Sequence, residues 1–207
     1  MAADWLVDQP RAGEPFATLV LAHGAGAAMD SVAMQALAEA MANEGLRVLR
    51  FEFPYMAARR VDGRRRPPNP MPVLLEHFRS QTESLDRPLF LAGKSMGGRA
   101  ASLLADELQA AGVICFGYPF HPPGKPLKLR TEHLLQLRTP ALVVQGSRDP
   151  FGGPEEVAGY GLSEQIQLHW LATADHDFKP LKSSGSSQQQ MIEQAAAAAA
   201  AFIRRLL

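Results

Sequence analysis

The stretch Leu89-Phe90-Leu91-Ala92-Gly93-Lys94-Ser95-Met96-Gly97-Gly98 decides how the rest of the chain is read. Residues 89–92 are apolar without alternation, the pattern of a strand covered on both faces of a parallel sheet. The residues that follow fit G-x-S-x-G, with Gly93, Ser95 and Gly97 in the fixed places, and a helical run is expected over 99–111. A serine at such a strand-to-helix corner is held in a strained conformation with its Oγ above the sheet, while the glycines let neighbouring backbone pass closely. The helix points its N-terminal dipole at the serine, where negative charge would develop if the hydroxyl attacked a carbonyl. A bare match to this pattern is common by chance. The legible strand before it and helix after it give it meaning.

Outward from this corner, the chain alternates strands with helices. Residues 17–23 are an apolar strand that breaks at Gly24-Ala25-Gly26. Asp30 and Ser31 offer caps for a helix to about Glu44, with Met34, Leu37, Ala38 and Met41 on one face, and Gly45 stands just past its end. Further strands are expected at 46–51, 112–116, 141–145 and 166–171. A loop rich in Pro and Arg should run from Pro54 to Pro72, followed by a helix to about Leu85. Residues 118–139 read as a proline-broken connection with one helical turn near 132–137, and a last helix starts at about Ser187. The run of alanines over 195–201 lies among Met191, Phe202, Ile203 and Leu206, which suits a tightly packed helix. Alternation of this kind implies an α/β fold, a mostly parallel central sheet with helices on both faces. Ligand sites in such sheets lie beyond the carboxyl ends of the strands, which puts 24–26, Ser95, Tyr118, Asp149 and His176 on one rim.

A serine hydroxyl needs a base, usually a histidine oriented by a carboxylate. Of six histidines, His77 falls in a helix, His169 lies mid-strand, and His121 and His133 sit in the 118–139 connection. His23 ends a strand, where pinning the following loop is the expected role. His176, just past the last strand, has the position of a base. Asp149 follows the 141–145 strand and is the expected orienter. Asp175 and Asp177 adjoin the histidine and read as loop caps. The order Ser95, Asp149, His176 is the nucleophile–acid–base order of the α/β-hydrolase arrangement.

Taken together, His23-Gly24-Ala25-Gly26, Phe53-Pro54-Tyr55-Met56, Arg65-Arg66-Pro67-Pro68, Gly93-Lys94-Ser95-Met96-Gly97-Gly98, Gly117-Tyr118-Pro119-Phe120, Gln145-Gly146-Ser147-Arg148-Asp149 and Asp175-His176 resemble a group of small, lid-poor α/β-hydrolases. The likeness runs from Ala17 to the end of the chain. It extends in part to a eukaryotic non-catalytic subunit of a chromatin-modifying complex, and more loosely to dienelactone hydrolases, whose nucleophile is a cysteine. The resemblance implies an oxyanion hole from the amides of Met96 and Ala25, with Gly24 as the alternative to Ala25. It also implies a minimal fold with no cap domain, because the 118–139 connection, where larger relatives insert a lid, is short. A dinucleotide-binding reading of residues 23–26 fails, since the third glycine of G-x-G-x-x-G would fall at Met29.

Composition narrows the function further. The 207 residues suit a single domain over 1–207, and 46% hydrophobic residues suffice for a full core. Equal numbers of basic and acidic residues, 21 each, argue against a general nucleic-acid binder. Cys115, the single cysteine, sits in an apolar run and reads as a buried, inert thiol. The N-terminus has neither a basic segment nor a long apolar stretch, and no run approaches the ~18 apolar residues of a membrane span. No metal cluster or cofactor motif is visible. The expectation is a cytoplasmic serine hydrolase, monomeric or homodimeric, acting on a small-molecule ester or related acyl substrate, with esterase, thioesterase and peptidase activity all open. Its rival is a non-catalytic protein-interaction module that keeps the fold. Arg59, Arg60, Arg64, Arg65 and Arg66 lie in a loop on the active-site rim; a solvated loop and an anion-binding surface are both open.

Overall fold

The computed structural model describes residues 5–207; the reading of the N-terminus lies outside the described residues where it concerns 1–4. In chain order the elements are β1 (Leu6–Asp8), β2 (Ala17–Ala22), α1 (Val32–Asn43), β3 (Leu46–Phe51), α2 (Pro54–Asp62), α3 (Met71–Thr82) and β4 (Phe90–Lys94). Then come α4 (Met96–Leu104), β5 (Gly112–Phe116), β6 (Ala141–Gly146), α5 (Pro154–Val157), β7 (Ile166–Leu171) and α6 (Gln188–Arg204). The strands form one sheet in the order β1-β3-β2-β4-β5-β6-β7. All neighbours are parallel except β1, which pairs antiparallel with β3.

The unbroken apolar runs of the central strands follow from burial on both faces. Leu19, Leu21, Val48, Phe90, Ile114 and Val144 turn toward α1 and α6. Val20, Leu91, Val113 and Val143 turn toward the layer that holds α3 and α4. Each fully buried side chain of this size contributes about 1.5–3 kcal/mol relative to exposure. The alanines of α6 serve this packing: Ala195, Ala196, Ala199 and Ala200 are wholly buried, and their small size lets the helix lie close to the sheet and α1. Ser187 caps α6 by accepting from the Gln190 amide, and Gln190 returns a bond to the Ser187 amide.

Four expectations are corrected. The Pro- and Arg-rich segment contains helix α2: Pro54 stops β3 but also sits at the first helical position, and Gly63 closes the helix with φ of 71°. The helix after Ser95 ends at Leu104 rather than 111, because Asp106 is drawn away to accept from the amides of Arg138 and Thr139 and the Thr139 hydroxyl. Strand β1 was not expected; three residues are too short for periodicity to show. Ser31 occupies the N-cap of α1, but neither it nor Asp30 caps through a side chain, since Asp30 is held by Arg60. The 118–139 connection carries a single 3-10 turn, Glu132–Leu135, and no inserted domain.

Candidate active site

Ser95 stands between β4 and α4 with φ 52° and ψ −114°, a conformation that costs about 1–3 kcal/mol for a residue with a side chain. Two backbone bonds fix it there: its amide donates to Phe116 O (2.9 Å) and its carbonyl accepts from Arg99 N (3.0 Å). The flanking glycines are needed for space. A Cβ on Gly93 would lie 2.1 Å from the Gly97 carbonyl carbon, and one on Gly97 would lie 2.4 Å from Ala22 O. Only without those carbons can α4 start against the ends of β2 and β4.

His176 and Asp149 reach Ser95 from the loops after β7 and β6. His176 Nδ1 lies 2.7 Å from Asp149 Oδ2, and His176 Nε2 lies 3.0 Å from Ser95 Oγ. An ionised carboxylate only accepts, so Nδ1 carries the proton and Nε2 offers its lone pair to the serine hydroxyl. The Asp149 side chain is wholly buried, whereas that of His176 is 19% exposed. The carboxylate is otherwise satisfied by Gln145 Nε2 on Oδ2 (3.0 Å) and by Phe151 N on Oδ1 (2.9 Å). Gln145 is itself fixed by Tyr118, whose amide donates to Gln145 Oε1 (2.7 Å). The Phe151 ring leans on the imidazole at a centroid distance of 4.3 Å.

The loop after β2 runs beside Ser95: a Cβ on Gly24 would lie 3.7 Å from Ser95 Cβ. His23, wholly buried, pins this loop, donating from Nδ1 to Gly24 O (2.7 Å) and accepting at Nε2 from Phe53 N (3.0 Å). Burial pushes its pKa below the usual histidine value, so it stays neutral. The Tyr55 hydroxyl reaches Gly24 O (3.1 Å) and Ala25 O (2.9 Å). Farther along, Glu52 accepts from Met29 N (2.9 Å), Arg50 donates to Met29 O (2.7 Å), and Arg60 pairs with both Asp30 and Glu52. Met96 opens α4, so its amide has no acceptor within the helix. The Ala25 amide donates to no backbone carbonyl among the described residues.

Three of the remaining histidines have other partners. His77 bonds Glu52 O, His121 bonds Pro122 O, and His133 bonds Ser102 Oγ. Burial of the Cys115 thiol pushes its pKa up to about 12. The five arginines divide. Arg60 is consumed by Asp30 and Glu52, and Arg66 pairs with Asp62. Arg59 lies on α2, and Arg64 and Arg65 follow it in exposed chain. A cavity of about 430 Å³ lined by Trp5, Arg47 and Leu89 opens at the other end of the sheet, by the N-terminal ends of the strands. Sequence reasoning quotes Gln145, Tyr55 and Lys94 within motifs but gives none of them a role. Gln145 alone has a local signal, a polar residue closing the apolar run of β6.

Comparison with known proteins agrees with this architecture. The alpha/beta hydrolase domain family matches residues 15–204. An alpha-beta serine hydrolase homologue from Coxiella burnetii is similar at 21% identity and TM-score 0.71, over 94% of this chain and 90% of that one. Dienelactone hydrolase from Anabaena variabilis is similar at 21% identity and TM-score 0.73, over 97% and 90%. A lid-less a/b serine hydrolase from Xanthomonas campestris is similar at 21% identity and TM-score 0.66, over 99% and 89%. Among the described residues no helix is long and apolar enough to cross a membrane. With a family match over nearly its whole length and a seven-stranded sheet of the expected kind, the chain belongs to the alpha/beta hydrolase family.

Proposed function

We propose that this protein is a serine hydrolase, one domain over residues 1–207, that cleaves a small ester or related acyl substrate through an acyl-enzyme. The observation that carries the reading is the relay Ser95 Oγ–His176 Nε2 (3.0 Å) and His176 Nδ1–Asp149 Oδ2 (2.7 Å) at a strained corner. In this reading Ser95 Oγ bonds to the acyl carbon while His176 Nε2 takes its proton. The carbonyl oxygen becomes an oxyanion facing the amides of Met96 and Ala25. Collapse breaks the bond to the leaving alcohol or thiol, which receives the proton from His176. Water, deprotonated by the same imidazole, then releases the acid and restores Ser95. Asp149 keeps the tautomer and balances the imidazolium. Carboxylesterase and thioesterase chemistry both fit. A cytoplasmic location, the absence of nucleic-acid partners and a monomeric or homodimeric state belong to the same reading.

The test is covalent. A fluorophosphonate probe should label the protein once, with loss of fluoride, and Ser95→Ala or His176→Ala should prevent labelling. A folded wild type that stays unlabelled would leave the non-catalytic interaction module in its place. The substrate range is tested beside it. With no lid, little apolar wall is available to a long acyl chain, whose buried methylenes would otherwise contribute about 0.8 kcal/mol each. Short acyl esters should therefore be cleaved faster than long-chain lipids, and a preference beyond dodecanoyl esters counts against the small-substrate reading.

A further inference from the structure

Lys94, the last residue of β4, sits between Gly93 and Ser95 and sends its side chain to the loop that carries His176. Its Nζ donates to His176 O at 2.8 Å and lies 5.6 Å from the centre of the Phe178 ring. Met34 and Leu37 of α1 and Ile192 of α6 line, together with Lys94, a small apolar cavity of about 30 Å³. We propose that Lys94 is a positioning residue for the Ser95–His176 pair, holding the backbone of the base to the strand that carries the nucleophile. The proposal rests on the serine hydrolase reading given above.

The case begins with which bonds cross between the two elements. The histidine loop is otherwise held by itself, by the loop after β6 and by α6, whose Gln188 Nε2 donates to Asp177 O (2.7 Å). Asp175 N donates to Lys179 O (3.0 Å), Arg148 N to Ala174 O (2.9 Å), Arg148 Nη1 to Thr173 O (3.1 Å), and Thr173 N to Ser147 Oγ (2.8 Å). These contacts set His176 against the element of Asp149 and against the start of α6. They do nothing to set it against the corner of Ser95. Among the described residues two hydrogen bonds make that crossing: the Ser95–His176 bond, which must open and re-form during acyl transfer, and the Lys94–His176 bond, which need not. Only the second can hold the spacing while the first is in use.

The chemistry suits the task. An ammonium on a carbonyl is a charge-assisted bond, stronger than a neutral one. The space is kept for it: Gly117, at φ +64°, lies where a Cβ would come within 2.9 Å of Lys94 Nζ and 3.3 Å of His176 Cε1. Burial of an ammonium is costly, and a methionine would fill the place without that penalty. Desolvation accordingly pulls the Lys94 pKa down to about 8, against the attraction of Asp177, Asp149 and Asp175, the charged groups that face it. The apolar residues of α1 and α6 contribute no charge. The ammonium therefore persists through neutral pH and is lost just above it, while the amine left behind makes a weaker bond.

The experiment compares wild type with Lys94→Met in fluorophosphonate labelling and in p-nitrophenyl acetate hydrolysis between about pH 6.5 and 10. The expected result is labelling and kcat both slower by about 10–100-fold with KM within about twofold, as for a base misplaced by a fraction of an ångström. Wild-type kcat/KM should turn down above a pH of about 8, and the variant should lack that step. Wild-type labelling rates in the variant overturn the proposal, as does a loss carried by KM. A wild type that never reacts overturns the serine hydrolase reading as well, whereas a reactive wild type with an equally reactive variant removes only the role of Lys94. If Lys94→Met does not fold, the wild type decides. The downfield NMR resonance of the His176 Nδ1 proton should then shift over the same pH interval as the rate, and indifference of both to pH overturns the proposal.

Discussion

The two loops that flank Ser95 are secured in opposite ways. The loop of residues 24–31 is gripped by side chains from the end of β2, from β3 and from α2: His23, Arg50, Glu52, Tyr55 and Arg60 all bond to it. Arg50 is further locked by a two-pronged pair with Asp8 of β1, at 2.8 and 2.9 Å. The histidine loop is folded mostly upon its own backbone and bonded by few outside side chains: Ser147, Arg148, Lys94, Asp149 and Gln188. The difference matches what each loop would have to do. Amides that meet an oxyanion work best when nothing moves at the moment of reaction. A base must pass a proton from one oxygen to another, so its backbone needs fixing while its ring keeps freedom.

The strongest way to break this contrast is at the chemistry itself. Ser95→Ala and His176→Ala should lower kcat by about 10⁴–10⁶-fold with the fold intact, as when members of such a relay are removed elsewhere. Near-normal turnover in either variant would end the functional distinction between the loops. Next comes the grip on the 24–31 loop. Arg50→Ala strands Asp8 beside an empty place and frees Met29 O, which should cost about 3–5 kcal/mol in urea unfolding. Its kcat, measured well below the transition, should fall by less than about tenfold.

Lys94 gives a smaller effect with a definite sign. Its folded-state pKa, pulled down to about 8 by burial, lies below the unfolded value, so between about 8 and 10.5 the unfolded chain binds the extra proton. Stability should rise with pH across that window, by on the order of 2–3 kcal/mol, and Lys94→Met should lose that rise. Parallel urea titrations of both proteins at the two ends of the window would show it; equal slopes would mean that the ammonium is not held out of water. Tyr55→Phe removes one hydroxyl from the Gly24 and Ala25 carbonyls and should cost about 1 kcal/mol, read as a severalfold drop in kcat at unchanged KM. The least effect is expected from Arg64, Arg65 and Arg66 changed together to Gln. If this surface steers anions, an anionic ester should lose its rate advantage over a neutral one, and only at low salt, since exposed charges are screened over about 10 Å at 0.1 M. Equal salt dependence of both esters would leave the loop merely solvated.

The strands of the sheet interior, and the three residues that meet at its rim, are visible in the sequence for a common reason. Ser95, Asp149 and His176 each follow an apolar run, and in a parallel sheet the end of such a run already specifies the rim. The supporting residues have no such mark. Lys94 occupies a variable place in G-x-S-x-G, and its partner is 82 residues away. Asp8 meets Arg50 only because a three-residue strand adds to the sheet edge in antiparallel register. Helix α2 is hidden by its composition, since Pro54 and the arginines read as loop until Gly63 is seen to end a helix. What escapes a reading of local pattern is the set of long-range polar contacts, which depend on topology rather than on neighbours in the chain.

The separation of 81 residues between Ser95 and His176 bears on how the protein is made. At roughly 5–20 residues per second of synthesis, the serine corner exists for on the order of 4–16 s before its histidine has been polymerised. Strand β7 and helix α6, which frame that histidine, follow the other described elements in the chain, and α6 must still close over α1. On the serine hydrolase reading, a nascent chain therefore carries the Ser95 hydroxyl without its base until the loop after β7 has been made.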